Sequence, residues 1–107
     1  MPKFMYQASY TAEGLQGLLR DSATGRKDAI EGAVKAVGGK LETIYYCFGE
    51  DDVMLVVDLP DNITAASFAI NVMSTGLVRV KTTPLLTIEE ADKALGGKVA
   101  YRAPGAS

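Results

Sequence analysis

The sequence predicts one α+β domain: a four-stranded antiparallel sheet with helices packed on one of its faces. Three observations lead there. Four short segments rich in β-branched and aromatic residues recur along the chain. Segments with helical apolar spacing fall between the first and second and between the third and fourth of them. The middle two are joined by a turn short enough to make a hairpin.

Residues 3–10, KFMYQASY, alternate: Phe4, Tyr6, Ala8 and Tyr10 share one side, Met5, Gln7 and Ser9 the other. Thr11 then caps a helical turn carrying Leu15, Leu18 and Leu19, which Gly14 and Gly17 weaken, so the turn joins the next helix irregularly or at an angle. From Arg26 to Val37 the residues Ala29, Ile30, Ala33, Val34 and Val37 form one helical stripe, which Gly38-Gly39 ends. Residues 40–48 and 53–59 read as strands around the acidic turn Gly49-Glu50-Asp51-Asp52. Pro60-Asp61-Asn62 breaks the second of them and caps a helix over 63–75. Its expected inner stripe is Ile63, Ala66, Ala69, Ile70 and Met73, with Phe68 at the edge. Residues 77–83 give a fourth strand, closed by Pro84, and Thr87-Ile88-Glu89-Glu90 is a capping box opening a last helix with Ile88, Ala91 and Leu95. The order β-α-β-β-α-β with right-handed crossovers is the ferredoxin-like arrangement. One domain is expected over residues 1–97, with a polar tail over 98–107.

Composition removes several functional classes. The chain has 107 residues, eleven basic and thirteen acidic side chains, a net charge of -2, one cysteine and no histidine. Histidine triads, histidine-ligated haem and histidine-rich zinc sites are thereby excluded within the chain, and Cys47 alone closes no internal disulfide. The scattered, outnumbered cations argue against a nucleic-acid partner. Apolar runs such as Ile44 to Phe48 fall short of the roughly 20 residues a membrane helix needs. The N-terminus turns polar at Gln7 without a signal-like core, so the expectation is a soluble cytoplasmic protein with no membrane partner. No cofactor is expected.

Helices on one face leave the other bare, yet that face carries Met5, Tyr45, Met54 and Val56 among polar groups. A large exposed apolar patch signals an interface, and a second copy packed sheet to sheet is the simplest cover. The expected partner is therefore the chain itself.

The stretch Tyr45-Tyr46-Cys47-Phe48-Gly49-Glu50-Asp51-Asp52-Val53 closely resembles the central motif of the GYD-domain family. The matching pieces are Gly38-Gly39-Lys40, Tyr45-Tyr46, Gly49, Asp52-Val53 and Pro60-Asp61. The start, Met1-Pro2 and Thr11-Ala12-Glu13-Gly14, also matches, so the resemblance spans about residues 2–95. It implies a small ferredoxin-like domain related to the dimeric α-β barrels, and it implies no settled activity. The tyrosine that names the family is Asp51 here, so a role of that phenol is not carried over. Gly49 is expected at a positive φ, and Asp52 is expected to cap or brace the hairpin.

Alternation places Gln7, Ser9, Thr43, Tyr45, Cys47, Arg79 and Lys81 on the open face. Of these, Gln7, Tyr45, Cys47, Arg79 and Lys81 are the candidate ligand-binding residues: two cations, a phenol, an amide and a thiol suit a small anionic or carbonyl-bearing molecule. The competing reading is polar interface and rim. Glu50-Asp51-Asp52 lacks the spaced ligands of a calcium loop and reads as a solvated turn, so no metal site is expected. Cys47 has no histidine to activate it and reads as structural. Pro2, if exposed by loss of Met1, would offer a secondary amine of the kind tautomerases use, with Arg79 or Arg102 polarising a carboxylate. It reads more simply as a strand start. Asn62-Ile63-Thr64 reads as a helix cap, and the two Gly-Gly-Lys triplets as helix ends. The functional expectation is a small homo-oligomer with a binding or structural role. The alternative is a cofactor-independent mono-oxygenase or isomerase acting on a small carbonyl compound, with Tyr45 and Arg79 polarising an oxygen.

Overall fold

A computed structural model describes residues 1–106. Its elements are β1 (Lys3–Tyr10), α1 (Ala12–Ala36), β2 (Lys40–Tyr46), β3 (Val53–Asp58), α2 (Asn62–Met73), β4 (Val78–Leu85) and α3 (Ile88–Leu95). The four strands form one antiparallel sheet in the order β2-β3-β1-β4, the ferredoxin-like arrangement.

Strand alternation divides the two faces cleanly. Phe4, Tyr6 and Ala8 of β1 and Val53, Leu55 and Val57 of β3 are buried under the helices, together with Leu59, Val34 of α1 and Ala65 and Ala69 of α2. Tyr6 donates its phenol to the Ala65 carbonyl at 2.7 Å and sets its ring 5.6 Å from that of Phe68, which fixes α2 over the sheet. Each large side chain buried this way contributes about 1.5–3 kcal/mol.

α1 is two helical stretches joined across a kink, as expected, although the first, from Ala12, is longer than a single turn. At Ser22 the backbone takes φ 73° and ψ 163°, a strained conformation for a residue with a Cβ. Ser22 Oγ accepts the Gly25 amide at 3.1 Å, so this serine caps the second half of the helix. At the far end, Gly38 (φ 83°) donates to the Lys35 carbonyl and Gly39 to the Val34 carbonyl, a complete Schellman closure.

Several sequence expectations are corrected. The inner stripe of α2 is Ala65, Phe68, Ala69 and Val72, not Ile63, Ala66, Ile70 and Met73. Ile63 is 81% and Ile70 61% exposed. α2 is apolar on nearly every side, so periodicity alone does not choose the buried face. Pro84 does not close β4: it pairs with Phe4 within an edge strand, where a missing amide is tolerated. The cap of α2 is Asp61, whose carboxylate accepts the Thr64 amide at 2.7 Å, rather than the Asn62 triplet. Gly49 does not take a positive φ, and nothing crowds the position of its missing Cβ. The tail expected over 98–107 has no regular structure through Ala106, and Ser107 lies outside the described residues.

α3 stands apart. Its capping box is complete, with Glu90 N–H donating to Thr87 Oγ1 at 3.1 Å and Thr87 N–H to the Glu90 carboxylate at 2.9 Å. None of its residues is buried, and Ile88 is 82% exposed. The radius of gyration is 17.1 Å, where about 13 Å suits a compact chain of this length, and this unburied helix and the tail account for the excess.

Candidate functional site

Two regions can carry function, one on each face of the sheet. On the open face the register brings side chains into rows that cross the strands. Tyr45, Met54, Gln7 and Lys81 form one row, and Thr43, Val56, Met5 and Thr83 the next. A β-bulge between Leu41 and Thr43 sits early in β2, and the outward side is kept beyond it. The centre of this face is therefore apolar: Met5, Met54 and Val56.

Its rim is ionic. At one end Lys3 Nζ lies 2.8 Å from Asp58 Oδ1 and 3.3 Å from Glu42 Oε2. The Asp58 hydrogen bond is the largest influence holding the Lys3 ammonium above its usual range. At the other end Asp51 gathers three partners: Lys81 Nζ at 3.1 Å, Gln7 Nε2 at 3.3 Å and Ser9 Oγ at 3.3 Å. The residue standing where the family has its tyrosine thus binds the hairpin turn to β1 and β4. Asp52 Oδ2 accepts the Tyr10 amide at 2.8 Å, bracing the same turn against β1.

The candidate residues are not gathered around one ligand-sized space. Gln7 and Lys81 are already engaged by Asp51. Tyr45, 67% exposed, and Arg79 stand on the two outer strands, three strand spacings or about 14 Å apart, so they do not meet on one oxygen within a subunit. Cys47 is half-buried just past β2, its amide donating to the Asp52 carbonyl at 2.7 Å. The carboxylates of Asp51 and Asp52 are turned to the protein's own donors rather than toward a common cation site.

The second region lies under the helices. A half-open chamber of about 130 Å³ lies between α1, α2 and the sheet, with Ile30, Phe68, Val72 and Val80 in its wall and Tyr10 and Arg26 also lining it. An outer space of about 230 Å³ shares Tyr10, Arg26, Val72 and Val78 with it and continues past Gly17 and Asp21. The Tyr46 side chain belongs to this side of the sheet, since its cross-strand partner Val53 lines the chamber. Its hydroxyl is buried beside the Tyr10 phenol, short of a well-formed hydrogen bond among the described residues, and Tyr46 itself lines neither space. Burial, then the neighbouring Tyr10 phenol, pushes Tyr46 far up from the usual phenol range, while Arg26 pulls the other way. Tyr46 is a neutral donor. Arg26 makes one long ion pair, 3.6 Å to Asp21.

Sequence reasoning missed Tyr10, Tyr46 and Arg26 as a group. Tyr10 and Tyr46 were legible as inward-facing by alternation, but nothing in the chain pattern places the first residue of a helix stripe, Arg26, beside them.

These features define a ferredoxin-like α+β sandwich with an uncovered sheet face and a helix-side chamber. The family model for the GYD domain matches residues 4–95, and the chain belongs to that family. No curated protein and no solved structure matches it.

Proposed function

We propose that this GYD-domain chain works in the cytoplasm as a homo-oligomer, paired sheet face to sheet face, with a binding or structural role. The observation that carries the reading is the open face itself. An apolar centre of Met5, Met54 and Val56 inside a rim of ion pairs has the anatomy of a protein interface.

α3 supports the same reading. A helix of eight residues is too short to persist alone in water, so an unburied one needs a surface to lie on. Area points the same way. Four strands about 4.8 Å apart and about seven residues long give a face of roughly 19 by 23 Å, or about 440 Å². A standard interface takes about 800 Å² from each partner. Leu86, Ile88, Leu95, Val99 and Tyr101, all exposed, are apolar surface from which the rest can come.

Sedimentation across a dilution series tests this, with Val56→Lys as the probe. Val56 is flanked by Thr43 and Met5 at the centre of the face. Two symmetry-related lysines, each costing several kcal/mol when buried unpaired, weaken the dimer by at least about 10⁴-fold. Each subunit keeps its fold, because Val56 lies outside the helix-side core. A monomeric parent chain, or a variant of unchanged mass, overturns the reading.

One observation favours the second reading, a cofactor-independent mono-oxygenase or isomerase: the chamber with a phenol, Tyr10, and a cation, Arg26, in its lining. In that case the polarising groups are Tyr10 and Arg26, since Tyr45 and Arg79 stand too far apart.

A further inference from the structure

The helix-side chamber has the chemistry of a binding site for one kind of small molecule. Its volume of about 130 Å³ is close to that of an engineered apolar cavity of about 150 Å³ that takes up benzene, so it holds a single ring or a short branched chain. Its wall is aliphatic and aromatic, and Arg26 is the one charged residue lining it among the described residues. Asp21 lines only the outer space. The cation at its neck is largely unspent: among the described residues the Arg26 guanidinium makes no hydrogen bond and holds only the 3.6 Å pair with Asp21, and the Tyr10 phenol lines both spaces beside it.

We propose that this chamber receives a small monocyclic carboxylate, its ring among Ile30, Phe68, Val72 and Val80 and its carboxylate held by Arg26 beside the Tyr10 phenol. The guanidinium matches a carboxylate in charge and in planar geometry, and a phenol hydroxyl can donate to the same group. The outer space past Gly17 is the route in, because it shares Tyr10 and Arg26 with the chamber. This inference extends the binding half of the proposed role and does not depend on how the subunits pair.

The test is a titration of the full chain with benzoate, toluene and acetate, followed by NMR of the Ile30, Val72 and Val80 methyl groups. Benzoate is expected to saturate at roughly millimolar concentration or below, a reasonable strength for so small a ligand. Toluene and acetate, each keeping half of the recognition, bind at least about tenfold more weakly. Arg26→Gln weakens benzoate by about tenfold or more, the usual scale for losing a hydrogen bond to a charged group, and leaves toluene unchanged, which separates lost carboxylate recognition from lost fold. Failure of benzoate to move these methyl signals, toluene binding as tightly as benzoate, or parent-like benzoate affinity in Arg26→Gln overturns the proposal. None of these results bears on sheet-face pairing, which sedimentation and Val56→Lys read separately.

Discussion

Gly39→Ala and Gly32→Ala, at the end and in the interior of the same helix, should move stability in opposite directions. Gly39 closes α1 and sits where the helix meets the end of β3. A Cβ there would lie 2.7 Å from Leu59 Cδ2, 3.1 Å from Val34 Cγ1 and hard against the Asp58 carbonyl oxygen. Leu59 and Val34 are both completely buried, so neither can swing away. Adding a methyl group to a packed core costs about 1–3 kcal/mol, and a backbone contact that cannot yield puts this site at the upper end, about 3 kcal/mol. Gly32 has open space around its missing Cβ and lies inside the helix, where alanine is favoured by about 1 kcal/mol. With a urea m-value of roughly 1.5 kcal/mol/M, the midpoint falls by about 2 M for Gly39→Ala and rises by about 0.7 M for Gly32→Ala. Urea unfolding followed by circular dichroism reads both. A Gly39→Ala midpoint within about 0.3 M of the parent would refute the claim that α1 is seated on β3 through this glycine. The consequence reaches the chamber, because Arg26, Ala29, Ile30 and Ala33 line it from the same helix.

Two further outcomes follow from single hydrogen bonds. Tyr6→Phe leaves the ring in place but orphans the buried Ala65 carbonyl, so unfolding free energy should drop by about 1–3 kcal/mol in the same urea assay. Acid should release α3 and loosen the start of α2. The Glu90 carboxyl is held below its usual value by the Thr87 amide and hydroxyl, and Asp61 by the Thr64 amide and hydroxyl. Each folded pKa lies below the unfolded one, so the stabilisation is present above the ordinary carboxylate range and is lost as pH falls through the folded value. Far-UV circular dichroism should therefore lose helix signal below about pH 4, and Glu90→Gln should flatten that loss.

The fold was legible because its signals agree at several levels. Strand alternation, the Gly38-Gly39 stop and the Thr87 to Glu90 box each pointed to the element that forms. The angle near the middle of α1 was legible from weak helix formers, although the strained residue, Ser22, carries no glycine to mark it. The buried side of α2 was not legible. Ile63, Ala66, Ile70 and Met73 make as good a stripe as Ala65, Phe68, Ala69 and Val72, and what selects the second is tertiary: the Tyr6 ring and hydroxyl need Phe68 and the Ala65 carbonyl. The open-face set was placed on the correct side, since Tyr45, Gln7, Arg79 and Lys81 all project there. What alternation cannot supply is distance across the sheet, so Tyr45 and Arg79 looked like partners while standing on opposite edges. Nor does a one-dimensional pattern reveal a void, and so the chamber with Arg26 at its neck had no counterpart in the sequence.

The turn from Gly49 to Asp52 links the two faces. Consecutive residues on these strands point opposite ways, so Tyr45 belongs to the open face and Tyr46 to the helix side, as do Ser9 and Tyr10. The same turn fastens both. Asp51 reaches outward to Gln7, Ser9 and Lys81, while Asp52 holds the backbone of Tyr10, whose ring lines the chamber. A change of charge at the rim of the open face is therefore one residue away from the strand end that carries a chamber wall. Where the family has a tyrosine at position 51, a phenol cannot make the ion pair with Lys81, and the turn must be tied to β4 in some other way. The aspartate in this chain thus supplies a charged clasp from the turn to β1 and β4. That is a local reason for the rim of this sheet to be ionic while its centre stays apolar.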